Sequence, residues 1–221
     1  MPVSIIARTL SDRVFEIVRE RIVTGELRDN MPIRQDALAS ELGVSKIPLR
    51  EALARLEQEG LLTSQANRGY TVQPMSAAQA DEIFALRLSI EPAASASAAL
   101  AADEAGRQGA LAAFHALDEA ASSNLAEVAV RNRVFHIALV RPAGRRLTTS
   151  LVERLGILAE RYTVAHLAPA GRDARAHVEH QGLIDSWMAR DAEAHERLLH
   201  DHIAGTLADL RAQFAADAVA A

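Results

Sequence analysis

The sequence predicts a mainly α-helical protein in two parts, the first closed by one short β-hairpin. Three observations carry this. The hydrophobic share is 49% with only 4% aromatic, and its Ala and Leu bias favours packed helices over sheets. Apolar residues recur at helical spacing through most of the chain. Residues 61–72 instead form two short extended runs around a glycine-bearing turn.

In chain order, Leu10, Val14, Ile17, Val18, Ile22 and Val23 keep helical spacing, and Gly25 ends that first packing helix as its C-terminal glycine. The stretch from Gln35 to Gly60, QDALASELGVSKIPLREALARLEQEG, reads as a helix, a tight turn at Gly43-Val44 and a second helix opened by Ser45. Leu38 and Leu42 give the first of these a buried stripe. Leu49, Leu53 and Leu56 do so in the second and leave its opposite face free. Ser45 is expected as N-cap, its hydroxyl accepting an orphan backbone N–H. Pro48 fits the first turn, where N–H groups have no intrahelical partner. The pattern is a helix-turn-helix. Ser45, Lys46 and Arg50 project from the N-terminal end of its second helix, the part of a recognition helix that meets base edges and phosphates. Leu61–Ser64 and Tyr70–Val72 then make a hairpin, a wing whose Arg68-Gly69 tip can enter the minor groove or touch phosphate, since glycine permits close backbone approach. An ordinary polar turn is the plainer alternative for the same residues.

Gln73-Pro74-Met75 interrupts the pattern. It divides a winged helix-turn-helix DNA-binding domain, residues 1–74, from an all-helical domain, residues 75–221. Ser76-Ala77-Ala78-Gln79 resembles a capping box. Helices are expected over 76–101, 103–121, 125–140, 144–167, 173–189 and 191–215, with Pro142, the Pro169–Gly171 loop and Asp191 among the breaks. Such a bundle can hold a small molecule or a metal ion between facing helices.

A formal net charge of −5 argues superficially against nucleic acid, so its distribution matters more. Residues 1–74 hold ten Arg/Lys and ten Asp/Glu, whereas the remainder holds fourteen against nineteen. Arg34, Lys46, Arg50 and Arg68 gather around the reading head, and a local basic face suffices. The chain has no cysteine, which leaves neither disulfide framework nor thiolate metal site and suits a reducing cytoplasm. Arg8, Asp12, Arg13, Glu16, Arg19 and Glu20 interrupt any secretory signal. The weakly apolar run from Pro92 to Ala102 is too short for a membrane span, so no membrane association is expected.

All eight histidines lie at or beyond position 115. Asn132 and His136 stand four apart on one helical face, His180 shares a face with Ile184 and Trp187, and His202 goes with Leu198, Leu199 and Thr206. Three imidazoles and an amide oxygen from three helices can converge on one divalent ion, with open positions for water or a carboxylate. Hydrogen-bonded core histidines are the alternative, and His177 and His195 approach the same faces. His115, His166 and His200 read as solvated. Arg87 and Glu91, also four apart, give either a weak intrahelical ion pair or an arginine aimed at a carboxylate ligand.

On LGVSKIPLREALARLEQEGLL with Arg68-Gly69-Tyr70-Thr71-Val72, on Leu86 through Glu91, on Asn132 through His136, and on Glu179-His180 leading to His202, the chain resembles the GntR family of bacterial transcription regulators. The resemblance is to the FadR-like branch with a C-terminal FCD ligand-binding domain. It implies a homodimer that binds a palindromic double-stranded DNA operator and responds to a small carboxylate effector, often held through a divalent metal of the zinc, nickel or manganese class. It further implies Asn132, His136, His180 and His202 as metal ligands and Arg87 as an effector contact. The chain departs from the family pattern in several places, at Asp29-Asn30, Gln35 and Asp36, at Lys46, at Asn132, and at Arg145, where asparagine is common. Asn132 stands where aspartate is usual and offers a neutral oxygen. Asp36 stands where a basic residue is common and would repel DNA if it faced the backbone. Lys46 replaces a planar arginine fork by a point charge.

The expected function is a ligand-responsive DNA-binding regulator, a repressor in sense, and not an enzyme. Two alternatives stay within regulation: a sensor whose effector is the ion itself, and a metal-free regulator responding to a small molecule. A remote one is a metal-dependent hydrolase, for which neither an HExxH motif nor a well-placed general base is present.

Overall fold

Thr9 opens the first helix of the computed structural model, which describes residues 9–65, 69–121 and 124–220. Thr9 Oγ1 accepts from Asp12 N–H at 3.1 Å and Asp12 Oδ2 accepts from Thr9 N–H at 2.9 Å, a reciprocal cap that starts α1 (Leu10–Val23). Thr24 and Gly25, the latter at φ +77°, end it. The helix pair follows as α2 (Gln35–Glu41) and α3 (Lys46–Gln58), then β1 (Leu62–Gln65) antiparallel to β2 (Gly69–Val72), with Leu62 opposite Val72. Val14, Val18, Ile22, Leu38, Leu49, Leu53, Leu56, Leu62 and Val72 form one core, so α1 and the hairpin hold α3 from behind. Leu42 only half joins it.

The chain divides into two units between Pro74 and Met75. The second comprises α4 (Ala77–Ala101), α5 (Glu104–Ala120), α6 (Leu125–Val140), a 3₁₀ turn at Arg141–Ala143, α7 (Arg146–Leu167), α8 (Arg172–Met188) and α9 (Ala192–Ala220). The described part is thus mainly helical with one small sheet, the fold class anticipated above. Helix ends differ by one or two residues from the expected ones, except that α9 runs five residues further. Ser76 caps α4 by accepting from Gln79 N–H, but Gln79 does not complete a capping box. Its Oε1 accepts from Tyr162 Oη at 2.8 Å and ties α4 to α7.

α4 is the central helix, packed against α6, α7 and α9, while α6 lies between α5 and α7 and α8 covers α9 and α5. Small residues on α4, among them Ala94, Ala98 and Ala99, permit the close approach. By length and composition α4 could cross a membrane, which the Pro92–Ala102 run did not suggest. However, 56% of its apolar window is buried inside the unit.

Candidate DNA-reading tip and ligand cavity

The reading tip is built where α3 begins. Ser45 occupies the N-cap position in extended backbone, yet its hydroxyl makes no capping hydrogen bond, contrary to expectation. The reason is in the sequence: the N3 residue, whose N–H an N-cap hydroxyl often takes, is Pro48, which has none. Ser45, Lys46 and Arg50 are all exposed. Arg34, Gln35, Asp36, Lys46 and Arg50 line one open depression. Arg34 is fixed beside the wing because Ile33 N–H donates to Tyr70 O at 2.8 Å and Pro32 bridges Thr71. Lys46 Nζ lies 2.6 Å from Asp36 Oδ1, both residues well exposed at 62% and 80%.

Ile47, 70% exposed between Lys46 and Arg50, was missed by the charge-based reading. An apolar side chain at a helix tip can meet a thymine methyl group. Gly69, at φ +78°, starts β2 close to α2, where an added Cβ would lie 3.6 Å from Gln35 Nε2. Arg68, the expected wing-tip cation, lies outside the described residues.

In the helical unit, α6, α8 and α9 bring His136, His180 and His202 together, with ligand atoms all within 4.8 Å of one another. Ring centroids are 4.8 Å apart for His180–His202 and 5.4 Å for His136–His202. His136 Nδ1 faces Glu91 Oε2 at 3.2 Å, and His202 Nδ1 faces Glu179 Oε2 at 2.6 Å. The Nε2 atoms of His136 and His180 are buried without a hydrogen-bond partner, an arrangement that costs free energy unless something occupies it. Burial, against the pull of Glu91, lowers the His136 pKa to about 4. Burial and then the charges of His202 and His136 drive His180 well below its ordinary value. The free Nε2 lone pairs of His136 and His180, with carboxylates behind His136 and His202, are chemically what a divalent ion requires. Asn132 is buried one turn before His136 and lines the adjoining cavity of about 420 Å³.

Arg87 also lines that cavity, but its guanidinium is engaged. Nε meets Glu91 Oε1 at 2.6 Å and Nη2 meets Oε2 at 3.1 Å. The i,i+4 pair is therefore present, not as a weak surface contact but with Arg87 and Glu91 only 5% and 1% exposed. Burial would raise the Glu91 pKa. The Arg87 charge and the His136 hydrogen bond overcome it and hold the carboxyl at about 2.

The remaining histidines divide differently from expectation. His115 and His200 are exposed as anticipated, but His166 is buried at the cavity wall, 3.1 Å from Arg172 Nη1 and 3.6 Å from Asp209. Arg172, six residues on at the start of α8, and Asp209 of the distant α9 close over it. His195 is a core residue, with Nε2 at 2.7 Å from Ser95 Oγ and Nδ1 at 3.1 Å from Leu183 O. His177 is exposed and pairs with Asp118 at 2.8 Å. Leu198, assigned to the core side of α9, points outward at 43% exposure. Glu179, unmarked by any pattern except its place before His180, emerges as the partner of His202.

A winged helix-turn-helix followed by a helical unit that holds a cavity is the architecture of a DNA-binding regulator. The chain belongs to the GntR family: residues 10–72 match the model described as "Bacterial regulatory proteins, gntR family", and residues 82–205 match the FCD domain. It is 32% identical over 216 residues to the uncharacterized HTH-type transcriptional regulator BphR of Paraburkholderia xenovorans (strain LB400), covering 92% of this chain and 86% of that protein. It is 28% identical over 195 residues to the HTH-type transcriptional repressor GlaR of Escherichia coli (strain K12), with 84% and 89% covered. The solved structure of E. coli McbR/YncC shares the fold with a TM-score of 0.75, at 23% identity over 93% of this chain and 99% of that one. The protein is accordingly a DNA-binding transcription regulator and not an enzyme.

Proposed function

We propose that the protein is a cytoplasmic repressor that binds a palindromic operator as a homodimer and answers to a small organic acid, with a divalent ion of the zinc, nickel or manganese class held by Asn132, His136, His180 and His202. The observation that carries this reading is the pair of buried, unpartnered Nε2 atoms of His136 and His180, grouped with His202 beside a cavity that His180, His202 and Asn132 line. Such an ion, when bound, supplies the positive charge and open positions that a carboxylate needs. Glu91 and Glu179 orient the His136 and His202 rings, and Arg87 keeps Glu91 ionised behind them. At the other unit, Arg34, Ser45, Lys46 and Arg50 meet DNA, with Arg68 and Gly69 at the wing. The repressor sense is supported by the name of the relative GlaR.

A single winged helix makes few contacts, and two copies on symmetric half-sites multiply affinity. Ligand binding regulates by favouring a dimer geometry that no longer matches the half-site spacing. The test is a gel shift on operator DNA with a panel of small carboxylic acids, each with and without added Zn²⁺, Ni²⁺ or Mn²⁺. Release that requires both acid and metal is expected. Binding that persists under every combination overturns the effector reading.

A further inference from the structure

Resting on the reading of the cavity as an organic-acid site, we infer that its effector is a monocarboxylic acid with an uncharged apolar body, an aryl or branched alkyl group, and not a di- or tricarboxylate or a sugar acid. The argument is the gradient of chemistry along the cavity. On α6, Leu125, Val128 and Asn132 line it in succession and His136 follows one turn later. At 1.5 Å per residue, Leu125 therefore stands roughly 16 Å from His136 along the helix axis. On α8, Ala176 likewise precedes His180 by one turn, and Leu117 and Leu167 contribute from α5 and α7. His180, His202 and Asn132 thus occupy one end, and the section leading away from them is walled largely by apolar side chains, the buried His166 there being already held by Arg172.

No arginine or lysine that lines the cavity is free for a second carboxylate. Arg87 is bound on two nitrogens by Glu91. The arginines nearest the outer end, Arg172 and Arg175, are both drawn to Asp209. The charges that do line the outer end are Asp118, paired with the exposed His177, and exposed Asp173. A second anionic group extending from the histidines would meet like charge. The two wall hydroxyls, Thr163 and Thr206, already donate to Ala159 O at 3.2 Å and His202 O at 3.1 Å, so neither can offer its proton to a second ligand oxygen. The several hydroxyls of a sugar acid would be stripped of water against Leu125, Val128 and Leu117. An apolar body loses nothing there and gains burial.

The test is differential scanning fluorimetry and calorimetric titration of the full chain, with and without added Zn²⁺ or Mn²⁺. The probes are phenylacetate, 3-phenylpropionate, phenylacetamide, acetate, succinate, citrate and gluconate. The aryl acids are expected to raise Tm and bind tightest. Leu125→Asp adds an acid at the first residue of α6, where the helix dipole tolerates it. That variant should weaken 3-phenylpropionate by about tenfold while leaving acetate unchanged. Tighter binding of succinate, citrate or gluconate than of the aryl acids overturns the inference and leaves the organic-acid reading standing. An equal response to phenylacetamide, or no response to any acid, overturns both. An aryl acid indifferent to Leu125→Asp in a variant of unchanged Tm overturns the assignment of its apolar body to this wall.

Discussion

Lys46 and Asp36 form an ion pair of 2.6 Å across the turn of the helix-turn-helix, so the lysine at the tip of α3 carries an internal counterion. An exposed pair of this kind is worth at most about 1 kcal/mol to folding, and on the proposed reading it also opposes DNA binding. If Lys46 meets DNA as proposed, it must leave Asp36 to reach a phosphate, and Asp36 then faces the polyanion. Asp36→Asn should therefore raise affinity for DNA of any sequence and steepen the logarithmic salt slope by about 0.9, the contribution of one more phosphate contact. Fluorescence anisotropy on operator and random duplexes over a salt series checks this. An unchanged slope would show that the pair is immaterial.

Arg50 has no such internal partner among the described contacts and shares the depression with Arg34 and Lys46. Arg50→Ala is expected to cost about 1–3 kcal/mol on operator DNA if the guanidinium reads a guanine, with little loss on random sequence. Loss that is equal on both duplexes assigns it to phosphate, and no loss on either removes it from the interface.

The buried Arg87–Glu91 pair makes a prediction about stability. Glu91→Gln leaves a guanidinium enclosed at 5% exposure without its counter-charge, a change that typically costs about 3–5 kcal/mol. The double variant Arg87→Met/Glu91→Leu removes both charges and should recover most of it. Urea denaturation of the two variants separates these outcomes, and a single variant as stable as the parent would contradict the burial of the pair.

His195 sets an acid limit on the fold. Burial, only partly opposed by the Leu183 carbonyl, lowers its pKa from 6.5 to about 4. Between those values the unfolded chain binds a proton that the native core refuses, so stability is complete above pH 6.5 and falls as pH drops towards 4. From pH 7 to about pH 4.5 this group alone should remove roughly 2–3 kcal/mol. His195→Gln, which keeps a donor and an acceptor, should flatten the profile by that amount in urea titrations at the two pH values. Parallel profiles would place the imidazole in water.

What sequence made legible was what is periodic and local. The leucines of α3 at positions 49, 53 and 56 announce their buried face because a helix repeats every 3.6 residues. His136, His180 and His202 each share a helical face with apolar neighbours, and the three faces do converge. His166 is buried, not solvated, because the turn after α7 folds Arg172 back over it and Asp209 of α9 joins from afar, neither of which helical spacing reports. Leu198 was misread because a helix between a core and solvent has flanks as well as two faces. The silent Ser45 cap was legible in principle, since Pro48 stands three residues on. The Asp36–Lys46 pair depends on the turn geometry, which no spacing rule supplies.

Asn132 is where the metal proposal is most exposed to test. It is buried beside the cavity one turn before His136, and it contributes an uncharged amide oxygen where a carboxylate would supply a full negative charge. Affinity for a dication rises with the charge of its oxygen ligands, so Asn132→Asp should tighten Zn²⁺ or Mn²⁺ by at least about tenfold. The same variant free of metal should be less stable than the parent, because a buried carboxylate then lacks a counter-charge. Added metal should reverse that order, raising Tm more in the variant than in the parent. The crossing of the two Tm curves is specific to an ion bound next to residue 132. A carboxylate that merely perturbs packing would lower Tm equally with and without metal, and that result would dissociate Asn132 from the three histidines.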